Sequence, residues 1–152
     1  MRTSTPTGPD RPTTDADTEL WWAAVQNREL MVNSCGSCGR VSLYVRPFCP
    51  HCWSDDVTLR PASGRARLYT WSVVHRNGAP FDARTPYILA MVDLDEGPRL
   101  MTVIEQCPVD QLRPDLPLVV EFRSDDDGFV VPVFHPTTDR DPVVPTTERN
   151  SR

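Results

Sequence analysis

Apolar and polar residues alternate with a period of two through most of the second half of the chain. Leu68, Thr70, Ser72 and Val74 interleave with Tyr69, Trp71, Val73 and His75. Ile88, Ala90, Val92 and Leu94 share a face, as do Leu100, Thr102 and Ile104, then Leu118, Val120 and Phe122, and finally Phe129, Val131 and Val133. A period of two sends alternate side chains to opposite faces of a strand. Asn77-Gly78, Glu96-Gly97-Pro98 and Asp127-Gly128 mark turns between the runs. Five such strands, with no helix long enough for a parallel crossover, predict a small antiparallel barrel over residues 57–135. The five-stranded OB-fold is the natural candidate.

Upstream the pattern differs. Asp17 to Asn27 reads as a short helix, with Thr14 or Asp15 able to cap it and Asp17 and Glu19 in its first turn. Leu20 and Ala24 fall on one face, with Trp21 and Val25 beside them at the i, i+4 spacing. Two adjacent tryptophans, Trp21 and Trp22, need a covering surface, either the rest of the domain or a partner. Residues 1–16 and 136–152 hold little to bury and read as a disordered leader and a flexible tail, although Val143 and Val144 could dock on a neighbour.

Between helix and barrel, in residues 17–56, stand Cys35-Gly36-Ser37-Cys38 and Cys49-Pro50-His51-Cys52. Each Cys-x-x-Cys turn aims two thiolates at one ion, and two such knuckles complete a tetrahedron. Gly36 and Gly39 suit the tight turns, and the intervening segment can form a hairpin through Val41–Val45. Zinc is favoured over iron because nothing else suggests electron transfer. Four cysteines leave no open position, so the metal is a staple and not a catalyst. His51, inside the second knuckle, could replace a cysteine ligand, but with four thiolates at hand it reads as an exposed neighbour of the site.

Composition narrows the remaining chemistry. All 16 basic residues are arginine, and the net charge of −5 with a pI near 5.1 disfavours polyanion binding. Without lysine there is no Schiff-base chemistry. Five cysteines, no secretory signal and no run long enough to span a bilayer indicate a cytoplasmic protein without a disulfide framework.

The order of these parts carries a resemblance: a Trp-bearing helix, a ribbon containing RPFCPHC, then GRARLYTWSVVHR, PYILAMVDLDEGPRLMT and a final hairpin ending in VPVF. Over residues 17 to 135 the chain resembles the zinc-ribbon OB-fold family once filed as domain of unknown function thirty-five. The resemblance implies a rubredoxin-like ribbon followed by an OB barrel. It also implies a non-catalytic subunit of a hetero-oligomer, one that accompanies thiolase-superfamily or lipid-transfer-type enzymes, side-chain aldolases or C-acyltransferases and helps hold acyl-CoA. The metal-ligand role transfers to Cys35, Cys38, Cys49 and Cys52, and no catalytic residue transfers.

Other groups are weighed on their own. Arg46, Arg67 and Arg76 are the candidate contacts for coenzyme A phosphates, with Arg40, Arg65 and Arg84 nearby in sequence. Ion pairing with the 21 carboxylates is the plainer role for any of them. Cys107 shows no base to activate it and reads as a half-buried strand residue. His75 reads as a loop contact and His135 as solvated, and the carboxylates at Asp93-Asp95-Glu96 and Asp125–Asp127 as solvated turns. The competing function is a single-stranded nucleic-acid module stacking bases on Tyr69, Trp71 or Phe81, which the acidic charge disfavours.

Overall fold

A computed structural model describes residues 12–79 and 81–137. Apart from residues 12–16, 136 and 137, the two terminal segments lie outside the described residues, Val143 and Val144 included. Helix α1 spans Glu19–Gln26, starting later than the pattern predicts. The reason is a preceding turn. Asp15 Oδ1 accepts from the Thr18 amide at 2.9 Å and its hydroxyl at 2.7 Å, while the Thr18 hydroxyl accepts from the Asp15 amide at 3.1 Å.

Val25 is fully buried, but Leu20 is 69% exposed. The tryptophans take the covered positions instead. Trp21 donates its indole N–H to the Met31 carbonyl at 2.9 Å, and the ring of Trp22 lies 5.5 Å from that of Phe129. The chain itself thus covers much of both rings, which reduces them as partner surface.

Three short strands follow: β1 (Met31–Cys35), β2 (Val41–Ser42) and β3 (Val57–Pro61), in the order β2-β1-β3 and antiparallel throughout. The expected hairpin within Val41–Val45 does not form. The first cysteine knuckle is itself the turn, and it returns β2 onto Asn33 and Ser34 of β1. Val57–Pro61, which the alternation groups with the barrel, pairs with β1.

The barrel comprises β4 (Arg65–Val74), β5 (Tyr87–Leu94), β6 (Arg99–Ile104), β7 (Pro117–Ser124) and β8 (Val130–Pro136), closed in the order β4-β5-β6-β8-β7. It is not purely antiparallel: β6 and β8 run parallel, with Ile104 opposite Phe134. A closed ring with an odd number of strands cannot alternate direction all the way round, so one neighbouring pair must be parallel.

Strand β5 buries Ile88, Ala90, Val92 and Leu94, as the alternation predicts. On β4 a bulge between Leu68 and Thr70 shifts the register. Ala66 and Leu68 face inward before it; after it Trp71, Val73 and Val74 are half-buried while Thr70 and Ser72 are exposed. The predicted common face of Leu68, Thr70, Ser72 and Val74 is therefore broken, since one extra residue reverses every later side chain. On β8 the deepest residue is Phe134, with Val130 and Val133, while Phe129 precedes the strand. Asn77-Gly78 opens the long β4–β5 connection, which holds a 3₁₀ turn at Asp82–Arg84, and is not a tight hairpin turn.

Leu30, Val32 and Leu43 of the ribbon join Leu68, Val92, Leu118 and Phe134 in a single core. Gly64 stands at the junction with φ +76°, its carbonyl accepting from the Val120 amide at 2.8 Å. A Cβ there would come within 2.6 Å of Val120 Cγ1, so glycine is required for the close approach.

Candidate metal centre

The two knuckles fold alike because their backbones are pinned alike. The Gly39 amide donates to the Cys35 carbonyl and the Trp53 amide to the Cys49 carbonyl, both at 2.9 Å. The Cys35 amide reaches the Arg40 carbonyl at 3.0 Å, and the Cys49 amide reaches the Ser54 carbonyl at 2.7 Å. A Cβ at Gly36 would meet the Asp56 carboxylate at 2.1 Å, so that exposed side chain would have to turn aside for any larger residue. A Ser37–Ser54 hydroxyl contact at 2.7 Å ties one knuckle to the other.

These turns bring the sulfurs of Cys35, Cys38, Cys49 and Cys52 within 4.8 Å of one another. Cys35 and Cys52 lie 3.6 Å apart and Cys38 and Cys49 3.7 Å. Zinc–sulfur bonds of about 2.3 Å in a tetrahedron give edges of about 3.8 Å, so the spacing fits one ion, and it is far too long for a disulfide. The electrostatics fit as well. Burial opposes the Cys49 thiolate, but the amides of His51 and Cys52, with the Cys38 and Cys35 thiols, outweigh it and bring the thiol down to about 7. At Cys52 the Ser54 amide lowers the thiol, yet burial and the three neighbouring sulfurs push it up to about 12. Four sulfurs this close hold four negative charges only around a cation. His51 is exposed and meets Arg40 at 3.1 Å, outside the sulfur cluster.

Arg46, Arg67 and Arg76 are all exposed. Arg67 lies near the start of β4 and Arg76 beyond its end. At about 3.3 Å per residue the strand holds them more than about 20 Å apart. Arg67 Nη1 approaches the Asp115 carbonyl at 3.5 Å, Arg65 pairs with Asp95 at 3.6 Å, and Arg40 is occupied by His51.

Cys107 follows β6, half-buried, with its thiol raised by burial and by Asp110, which is the wrong direction for a nucleophile. His75 is exposed, and Asn77 makes the loop contact expected of it, donating to the Tyr87 hydroxyl at 2.8 Å. His135 is half-buried on β8 with Nδ1 2.9 Å from the Pro136 carbonyl, which corrects the solvated reading. Asp125 turns its carboxylate onto the amides of Asp127 and Phe129, at 3.1 and 2.7 Å. Asp93 accepts from Arg99 Nε and Nη2, at 2.6 and 3.0 Å.

The proposed base-stacking residues are also placed. The Arg99 guanidinium covers the Tyr69 ring at 3.3 Å, Trp71 packs on the core, and Phe81 lines a groove of about 880 Å³ between β6 and β8. Arg99 was not singled out from sequence, although the Glu96-Gly97-Pro98 turn sets it opposite Asp93; its contact with Tyr69 of β4 has no local signal. Trp53 was also missed. It stands at φ +63° where the other knuckle has Gly39 at φ +71°, and aligning the two knuckles would have exposed it.

The fold and the cysteine cluster have known counterparts. Residues 22–58 match the ChsH2 rubredoxin-like zinc ribbon domain, and residues 59–123 match the ChsH2 C-terminal OB-fold domain. A chain of a solved Ltp2-ChsH2(DUF35) aldolase is 32% identical, with a TM-score of 0.75, and the match covers 83% of this chain and 98% of that one. A probable enoyl-CoA hydratase alpha subunit of Thermomonospora curvata is 32% identical over 126 residues, 83% of this chain but only 39% of that protein. The benzoylsuccinyl-CoA thiolase subunit BbsA of Geobacter metallireducens is 33% identical over 71 residues, 47% of each chain. The chain thus spans about two fifths and about half of these two relatives.

Proposed function

The chain belongs to the family of ChsH2-type proteins with a rubredoxin-like zinc ribbon and an OB-fold domain, and from that premise we propose that it is a non-catalytic subunit of a thiolase-like enzyme acting on acyl-CoA thioesters. The observation that carries this reading is the likeness, at 32% identity, to nearly the whole of a chain from an aldolase. The benzoylsuccinyl-CoA thiolase subunit supports it. So does the chemistry of the chain: among the described residues the four-cysteine site has no open position, and Cys107 is a poor nucleophile.

Cys35, Cys38, Cys49 and Cys52 hold a structural zinc, which organises the ribbon and supplies no reaction chemistry. Five free cysteines accord with a cytoplasmic address, and no described helix is long and apolar enough to cross a membrane. The subunit also helps hold the thioester. Arg46, Arg67 and Arg76 are its candidate phosphate contacts.

The test is reconstitution with a thiolase-like enzyme of the same organism. The two chains should co-elute, the partner's cleavage or condensation of acyl-CoA should depend on this chain, and this chain alone should be inactive. Turnover by the isolated chain, or a partner equally active without it, overturns the proposal. In the active complex, Arg46→Ala should raise KM for acyl-CoA with kcat little changed if that arginine holds phosphate.

A further inference from the structure

The four sulfurs are not equivalent. Cys35 and Cys49, which open the two knuckles, are buried, whereas Cys38 and Cys52, which close them, are exposed. Each exposed sulfur lies against the buried sulfur of the opposite knuckle: Cys52 is 3.6 Å from Cys35, and Cys38 is 3.7 Å from Cys49. A thiolate open to solvent, with a second sulfur close enough to resolve it, is the arrangement that makes cysteines sensitive to peroxide. Coordination to a metal keeps such sulfurs deprotonated.

The ribbon tip depends on these sulfurs more than the frame beneath it does. Within residues 36–56 the only buried side chains are Leu43, which belongs to the barrel's core, and Cys49 itself. Strands β1 and β3, by contrast, pair from Met31 opposite Pro61 to Cys35 opposite Val57, and Leu30 and Val32 tie this frame to the core. Losing the metal therefore loosens the tip and leaves the frame and the barrel standing.

We propose that the four-cysteine site is a reversible, peroxide-sensitive switch, in which oxidation joins an exposed cysteine of one knuckle to the buried cysteine of the other and releases the zinc. The exposed thiolate, Cys52 or Cys38, attacks hydrogen peroxide; its sulfur takes one oxygen as a sulfenic acid, the O–O bond breaks and hydroxide leaves. The buried thiolate, Cys35 or Cys49 respectively, then attacks that sulfur and displaces a second hydroxide. Two thiolates thus give two electrons to one peroxide and yield one disulfide and two hydroxides. A disulfide brings its sulfurs to about 2.05 Å, so its formation takes two ligands from the tetrahedron, and two thiolates do not complete a zinc site. A small thiol reverses the step by exchange, and the freed sulfurs bind zinc again.

The experiment treats the zinc-loaded full chain, wild type and Cys107→Ser, with hydrogen peroxide and reads free zinc with a chromogenic chelator. About one zinc should leave for every two thiols lost, in both proteins alike, and a thiol reductant with added zinc should restore the site. Peptide mass mapping should find Cys35 linked to Cys52, or Cys38 to Cys49. Amide exchange should show Gly39 and Trp53 losing protection while Val92 and Phe134 keep theirs. Zinc retained while peroxide is consumed overturns the proposal, as does a disulfide within a single knuckle. A response confined to the wild type assigns the chemistry to Cys107 and overturns it too. So does oxidation to sulfinic acid that thiol fails to reverse, because the site is then damaged and not switched. Exchange that rises at Phe134 together with Gly39 marks unfolding of the whole chain, and the local switch falls.

Discussion

In the barrel, Leu68, Val92, Leu118 and Phe134 are each no more than 1% exposed, and they touch one continuous core. Between residues 35 and 56 only Cys35, Leu43 and Cys49 are buried, and Leu43 belongs to the barrel's core. The far end of the ribbon therefore has no apolar interior of its own. A segment of some twenty residues encloses too little volume for one, and coordination of a metal takes its place. The contrast separates two kinds of sensitivity. The barrel should respond to lost volume, and the ribbon tip to lost ligands.

The largest effect is expected from breaking the sulfur cluster. Cys49→Ser, or a strong chelator, forfeits metal-binding free energy on the order of 10 kcal/mol, which for such sites is folding free energy. Elemental analysis should show one zinc per wild-type chain and none in Cys49→Ser. Amide exchange should show the protection of Gly39, Cys49 and Trp53 lost while that of Val92 and Phe134 persists. A metal-free variant with a fully protected ribbon would end the structural-zinc reading.

The complementary break is Phe134→Ala. Emptying a fully buried aromatic site should cost about 3–5 kcal/mol and lower the denaturant midpoint of the whole chain. The folded fraction should still carry one zinc, because no sulfur contact involves Phe134. Zinc loss before barrel unfolding would mean that the two regions are not separable in this way.

How much of this could be read from the chain depends on how local each cause is. The cysteine spacing encodes its own turns, so the four residues that come together were legible. So was β5, where the alternation runs without interruption from Tyr87 to Leu94. The bulge beside Tyr69 was not, since an extra residue in a strand leaves the composition unchanged and shows only against the partner strand. The parallel pairing of β6 with β8 joins residues 30 apart in the chain, and it follows from ring closure and not from any motif. Arg46, Arg67 and Arg76 share a chemistry that sequence can name. Whether they converge depends on how the strands that carry them curve, which no local pattern encodes. Trp21 and Leu20 exchanged roles for a similar reason: the helix pattern permits either face, and the Met31 carbonyl, ten residues later, decides it.

The smallest effects concern α1, which touches both regions and can report whether they are coupled. On its barrel side, the Gln26 amide is fitted to the edge of β8: Nε2 donates to the Val130 carbonyl at 3.0 Å, and Oε1 accepts from the Val130 amide at 2.9 Å. It pairs that residue as a neighbouring strand would, where β8 meets β6 at a single position. On its ribbon side, Trp21 bonds the Met31 carbonyl at the start of β1. Gln26→Ala leaves both Val130 groups without their partner and should cost about 1–3 kcal/mol. Trp21→Phe, losing a single bond and little area, should cost about 1 kcal/mol. Hydrogen exchange then distinguishes two pictures of the helix. If it merely rests on two independent regions, Gln26→Ala speeds exchange along β8 alone and Trp21→Phe along β1 alone. If it locks them into one body, each substitution loosens both. The shared core of Leu30, Val32 and Phe134 favours the second outcome for β1. The knuckles, pinned by their own amides and sulfurs, should stay protected in both variants.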